Sequence, residues 1–270
     1  MRGKRGTILA KTIDRVQELY DYRQMIFSTV HRDLRGRYKG SVLGFMWTFL
    51  NPLFQLLVYT LLFSVIMRSN IEDYYLHLFV ALVPWIFFST CMNEGSGCIR
   101  DSEGIVKKIY FPREVIPISY VTSQFVNMLF CFIIVFLALW VDGRFTNPIV
   151  YVYLPLIMII EYAMALGLTF ILCAWNVYLR DVKYIMGILC MAWQFMTPIM
   201  YSVDQLPPKL IKIFYFNPMT SVIVAYRDIL FYQQTPELDT LGIACFMGIF
   251  SLIVGWFLFD RLQRGFAEQM

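Results

Sequence analysis

Charge is scarce in this sequence. Asp, Glu, Lys and Arg make up 16% of its 270 residues, where a soluble domain carries about 25%. With 59% hydrophobic residues and a mean hydropathy of +0.59, that scarcity excludes a soluble domain and points to an integral membrane protein. Histidine is nearly missing: His31 and His77 are the two present, in different segments. With no HExxH and no Cys/His cluster, a metal-dependent enzyme is not expected and no metal site is assigned. The six cysteines (Cys91, Cys98, Cys131, Cys173, Cys190 and Cys245) never fall at CxxC spacing, and most lie in apolar runs. They read as small buried hydrophobes, not as a disulfide framework. No GxxxxGK[ST] occurs, so the chain has no P-loop for nucleotide and no cofactor is expected on it. No cleavable signal peptide is evident, because a basic, polar segment of about 40 residues precedes the first apolar run.

What is abundant is long apolar sequence and aromatics, the latter at 17%, as fits residues that collect at lipid–water interfaces. The expected fold is an all-α integral membrane protein with six transmembrane helices, at about 42–67, 75–94, 115–141, 149–176, 184–200 and 240–259. Each is measured against a hydrocarbon core of ~30 Å crossed at 1.5 Å per residue. Asp14 to Leu34 has apolar residues near a 3.6 period but is too polar to span, which predicts an interfacial helix on the membrane surface. Residues 1–41 then form a cytoplasmic N-terminus with that helix, its first eleven residues basic and mobile, and 42–270 form one transmembrane domain. Between 202 and 239 four prolines divide two apolar patches too short to cross comfortably. Two short re-entrant helices at about 206–231 fit better than a pair of irregular spans.

Positive charge divides unevenly over this topology. One side holds ten Lys/Arg between Arg2 and Lys39, then Arg100, Lys107, Lys108, Arg113, Arg180, Lys183, Arg261 and Arg264. The other side holds Arg68, Arg144, Lys209, Lys212 and Arg227. Positive loops stay in the cytoplasm, so both termini are expected there and the proline-rich pair outside. Because the basic residues sit mainly beside apolar spans, nucleic-acid binding is not read from the net charge of +4; the expected surroundings are the lipid bilayer.

Between the second and third spans, Gly97 to Ser119 interrupts apolar sequence with Arg100, Asp101, Glu103, Lys107, Lys108, Arg113 and Glu114. The spacing of Ile105, Val106, Ile109 and Tyr110 predicts a short amphipathic helix with a charged face toward the cytoplasm; an ordinary solvated loop is the plainer alternative. Inside the first span, Asn51, Gln55, Tyr59 and Phe63 recur every four residues and form one stripe. Such a stripe should face water or protein, as a conduit wall or as helix packing. Asn51-Pro52 should kink that helix or loosen its first turns. Glu161, mid-span, must face a cavity or a partner, either as a conduit or gating group or as a buried hydrogen-bonded acid. Trp193 and Gln194 on the fifth span are weaker conduit candidates.

Several segments, in order, carry a resemblance: Arg32 to Phe63, VPWIFFS at Val83 to Ser89, KKIYFPREVIPIS at Lys107 to Ser119, NVYLRDVKYI at Asn176 to Ile185, TPIMYSVDQLP at Thr197 to Pro207, and FNPMTSVIVAYRDILF at Phe216 to Phe231. Together they resemble the membrane subunit of bacterial ABC exporters for O-antigens, capsular polysaccharides and teichoic acids. That resemblance implies a permease in the bacterial cytoplasmic membrane, working as a homodimer with two copies of a separate ATPase that binds ATP and Mg, and moving a lipid-linked glycan polymer. It implies that Ile99 to Ile109 is a coupling helix docked on the ATPase with the N-terminal interfacial helix, and that short helices at Leu206 to Phe214 and Met219 to Phe231 form an outer gate. The conduit would lie at the dimer interface, lined by spans one and five. Other classes stay open: an exporter of a drug or small lipid, a membrane-embedded acyl- or glycosyltransferase, and a passive channel or scaffold. A transferase needs clustered polar residues at one membrane face, and Glu94, Glu161 and Asp228 are scattered.

Overall fold

In a computed structural model, the structure describes residues 15, 17–37, 39–68, 71–145 and 147–269. The basic stretch over the first eleven residues lies outside them. The described residues form helices joined by turns and short irregular segments, without strands. In chain order the helices are α1 (Arg23–Gly36), α2 (Trp47–Thr60), α3 (Tyr74–Asn93), α4 (Cys98–Asp101), α5 (Glu103–Val106), α6 (Val115–Val141), α7 (Tyr153–Tyr178), α8 (Val182–Met196), α9 (Pro208–Phe214), α10 (Pro218–Leu230), α11 (Leu238–Leu262) and α12 (Phe266–Gln269).

The bundle is organised around α3. Its apolar residues run all round the helix, which leaves no face suited to water or to a single neighbour. Fifteen of its 20 residues are buried, against α2, α6, α7, α8 and α10. Pro84 lies inside it without ending it, as membrane helices tolerate when neighbours satisfy the freed backbone groups.

The most extensive packing joins α7 to α11, and small residues make it possible. A Cβ on Gly167 would overlap the backbone of Ser251, and one on Gly255 would overlap the backbone of Gly167. A Cβ on Gly248 would come within 2.9 Å of the Ile160 carbonyl. Lipid tails are as apolar as leucine, so membrane helices associate through close packing of this kind, which small residues permit.

Among the described residues, five helical stretches are long and apolar enough to cross a membrane: Gly44–Ile66, Tyr74–Val106, Val115–Val141, Pro148–Tyr178 and Leu238–Gly265. The expected fifth span corrects to a shorter element. α8 has 15 residues, about 22 Å at 1.5 Å per residue. It stops before Thr197, whose extended conformation (φ −101°, ψ 134°) is what the steric demand of Pro198 imposes on the preceding residue. The Thr197 hydroxyl turns back to donate to the Trp193 carbonyl at 2.9 Å.

The expected coupling helix from Ile99 to Ile109 also corrects. It is two one-turn helices, α4 and α5, broken at Ser102, which sits near the bridge region (φ −102°, ψ 13°). Ile109 and Tyr110 lie beyond α5 and are exposed, so they form no buried apolar face. The segment expected to be an interfacial helix is helical over 17–21, turns at Tyr22, and resumes as α1. That helix packs against α6.

Pro52 sits on the sixth residue of α2. It has no N–H to give the Thr48 carbonyl, and that carbonyl instead accepts from the Cys131 thiol of α6 at 3.4 Å. A single turn of tighter 3-10 helix, Gly44–Met46, precedes α2. At its other end α2 continues into a π-helical segment, Leu61–Ile66, which rotates the stripe predicted from simple i+4 spacing. α9 and α10 fall close to the two short helices expected between 206 and 231, and all six cysteines are thiols, five of them buried.

Candidate functional site: an uncovered wall and a charged segment

Two helices flank α3 with little of their own surface covered. On α2 only Thr48 and Pro52 are buried, and Phe54, Leu57 and Val58 are exposed, as are Leu61 and Leu62 of the π-helical segment that follows. On α8 only Met186 and Cys190, one turn apart, are buried, and Ile188, Leu189, Met191 and Phe195 are exposed. The two are tied by one polar contact: the Gln194 side-chain amide donates to the Tyr59 hydroxyl at 3.0 Å.

The predicted stripe is divided between neighbours. Asn51 accepts from the Gln55 amide at 3.1 Å and lines a cleft with α3 and α6. Tyr59 turns to α8, and Phe63 stacks on Tyr74 with ring centroids 6.2 Å apart. Trp193 donates its indole N–H to the Asn217 side chain at 2.7 Å and meets Phe88 edge-on. That places it against the turn into α10, where Asn217 also caps the helix by accepting from the Met219 amide at 3.0 Å. Glu161 is apart from all of these. It is fully buried in the core, where its Oε2 accepts from the Tyr226 hydroxyl at 2.7 Å. It has the surroundings of an enclosed, hydrogen-bonded acid.

The charged segment after α3 is held by partners distant in sequence. Arg100 donates to the Val177 carbonyl at 3.1 Å, and Asp101 pairs with Lys183 at 3.6 Å. Arg113 donates to the Gln263 carbonyl. Glu114 is buried; one oxygen accepts from Arg15 at 2.9 Å and from the Gln263 amide at 2.8 Å. Arg15 also reaches Asp260 at 3.1 Å. The outward part is therefore Asp101, Glu103, Lys107 and Lys108 with Ile109 and Tyr110. There, the hydrogen bond and charge of Lys107 hold the Glu103 carboxyl below its ordinary range. Beside this segment, burial raises the Asp33 carboxyl above its usual range, against the pull of Arg32 and Arg37.

The sequence reading missed a latch at the opposite end. Arg144, in the α6–α7 loop, bonds Asp142 and Asp73, donates to the Phe231 carbonyl at 3.3 Å and lies over the Phe231 ring at 4.5 Å. Arg227 of α10, buried, donates to the carbonyls of Tyr201 at 3.0 Å and Ile199 at 2.6 Å. A lone arginine inside the apolar patch Met219 to Phe231 was the available signal, since a buried cation needs partners.

Residues 24–231 match the family described as ABC-2 type transporter. Among characterised proteins, the chain is 34% identical over 257 residues to an O-antigen export system permease protein RfbA of Myxococcus xanthus, covering 94% of this chain and 98% of that one. It is 33% identical over 239 residues to a protein of the same description from Klebsiella pneumoniae, covering 88% of this chain and 92% of that one. A more distant relative, the polysialic acid transport protein KpsM of Escherichia coli, is 21% identical over 237 residues, covering 86% of this chain and 91% of that one.

Proposed function

The chain belongs to the ABC-2 type transporter family, and from that premise we propose that it is the permease subunit of an ATP-driven exporter. Its cargo is a lipid-linked polysaccharide of the O-antigen or capsule kind, moved across the bacterial cytoplasmic membrane. The relatives' names carry the cargo class. The observation that carries the mechanism is the uncovered pair α2 and α8, joined by Tyr59 and Gln194. An apolar wall bearing a few polar and aromatic groups suits a second copy of the same chain, with the conduit between the two. Aromatic rings offer an apolar face and a polar edge, so a sugar chain can rest on Tyr59, Phe63 and Trp193 without being held.

In this reading α8 crosses as the fifth of six spans, both termini and the α4–α5 segment face the cytoplasm, and α9 and α10 form a re-entrant pair at the outer mouth. Two ATPase subunits bind ATP and Mg and press on Asp101, Glu103, Lys107, Lys108, Ile109 and Tyr110. Arg100, Arg113 and Glu114 tie that surface to α7, to the N-terminal helix and to the end of α11, so ATPase closure moves these elements together as a rigid-body shift.

Depleting the subunit should leave a saccharide–lipid on the inner leaflet, identified by extraction and mass spectrometry. Absence of any such intermediate, with a drug or small lipid retained instead, would overturn the cargo assignment. Tyr59→Ala with Phe63→Ala should slow export severalfold. Unchanged export, with crosslinkers at both positions reaching only lipid, would remove the conduit from this wall.

A further inference from the structure

A second polar site lies outside that wall. Between α2, α3 and α6, at the end of the bundle that carries the coupling segment, is a cavity of about 260 Å³. Two of its lining side chains are buried without a hydrogen-bond partner: the Thr48 hydroxyl and the Gln124 amide nitrogen, on residues 2% and 3% exposed. Asn127, Asn51, Thr90, Arg37 and Glu94 complete its polar lining, and Phe87 supplies an aromatic wall. The Tyr120 hydroxyl donates to Glu94 at 2.9 Å and so orients that carboxylate.

This composition selects among occupants. A lipid tail would leave the Thr48 and Gln124 groups unsatisfied in hydrocarbon, at a cost that buried polar groups seldom bear. A phosphate would find Arg37 but also meet Glu94, and the two formal charges cancel. A hydroxylated ring donates to a carboxylate or amide oxygen and accepts from guanidinium, amide and hydroxyl donors, which is the mixture present here. The volume is below the ~300–1,000 Å³ of sites for drug-sized ligands, which limits the occupant to one ring.

We propose that this cleft is a saccharide subsite, separate from the α2–α8 wall, that holds one sugar ring of the exported polymer at the coupling end of the permease. The proposal rests on the polysaccharide-export reading and adds to it a place where the glycan is recognised before it enters the conduit.

The test uses the full chain in lipid nanodiscs and saturation-transfer NMR with methyl mannoside, methyl galactoside and methyl N-acetylglucosaminide as probes. At least one should receive saturation, and Gln124→Leu should weaken its binding roughly fivefold by removing one donor. Asn127→Leu, at a half-buried position, repeats the test should Gln124→Leu not fold. No transfer from any glycoside, or transfer unchanged in the folded variants, overturns the proposal. Displacement of the glycoside by sodium phosphate also overturns it and makes the cleft an anion site; displacement by phosphatidylglycerol makes it a lipid site. Failure of the export reading is seen separately, as no saccharide–lipid retained on depletion. If only the subsite is wrong, depletion still retains it and Gln124→Leu exports at the parental rate.

Discussion

Glu161 and Tyr226 stand 65 residues apart in sequence and share one hydrogen bond of 2.7 Å. The other Glu161 oxygen is buried with no partner. Tyr226→Phe therefore leaves the acid without any hydrogen bond in the core, and the cost of stranding such a group is about 1–3 kcal/mol. A lower melting temperature in detergent is expected, while Glu161→Gln, which keeps an acceptor for the hydroxyl, loses less. Asp33 gives a prediction with the opposite sign. Burial raises its carboxyl above the unfolded value, so the folded state holds the proton more tightly and this group's contribution improves as pH falls. Asp33→Asn should stabilise the protein at neutral pH by a few tenths to about 1 kcal/mol. The advantage should shrink as pH drops through the raised carboxyl value, read by thermal melts across pH 4 to about 7. Neither partner choice was legible in the sequence: Glu161 announced that it needed a partner, and only the fold names Tyr226.

The helices themselves were more legible. Val115 to Val141 is helical from end to end as expected, because its one proline, Pro117, falls in the first turn, where no N–H is needed, and no glycine or later proline interrupts it. Elsewhere, local chemistry moved the ends. Pro198 shortened α8, Ser102 split the coupling segment, and Pro148 opened a 3-10 turn ahead of α7. The Asn51 to Phe63 stripe was a correct count on an ideal helix, but the π-helical segment and the crossing with α8 send its members to different neighbours. The α7–α11 seam shows what period counting cannot supply, since a glycine in a membrane helix is unremarkable until its opposite number is known. Gly255→Leu should abolish assembly of the bundle, because the new side chain must displace the Gly167 backbone rather than a mobile side chain. Gly187→Leu, where a Cβ meets nothing within 4 Å, should be tolerated; fluorescence-detected size exclusion of the two variants separates the outcomes.

At the scale of the whole molecule, the proposed cytoplasmic placement of the charged segment is open to a direct measurement. A cysteine replacing Ser102, in a background without the native thiols, should react with an impermeant maleimide in inside-out vesicles and stay unlabelled in intact cells. The buried junction of Glu114 with Arg15 and Gln263 adds an expectation for the assembled transporter. In the proposed exporter, Glu114→Ala should lower export several-fold while the partner ATPase continues to hydrolyse ATP, since the segment proposed to receive its push is then loosened from the N-terminal helix and α11. The Gly167–Gly255 contact carries a further consequence. Two helices that meet backbone to backbone cannot slide or spread, so α7 and α11 behave as a single beam. The two slats with almost nothing behind them, α2 and α8, are where the frame can yield. In the proposed exporter, passage of a bulky cargo would then ask for no flexing of the timber, only for loosely seated planks to part and close again.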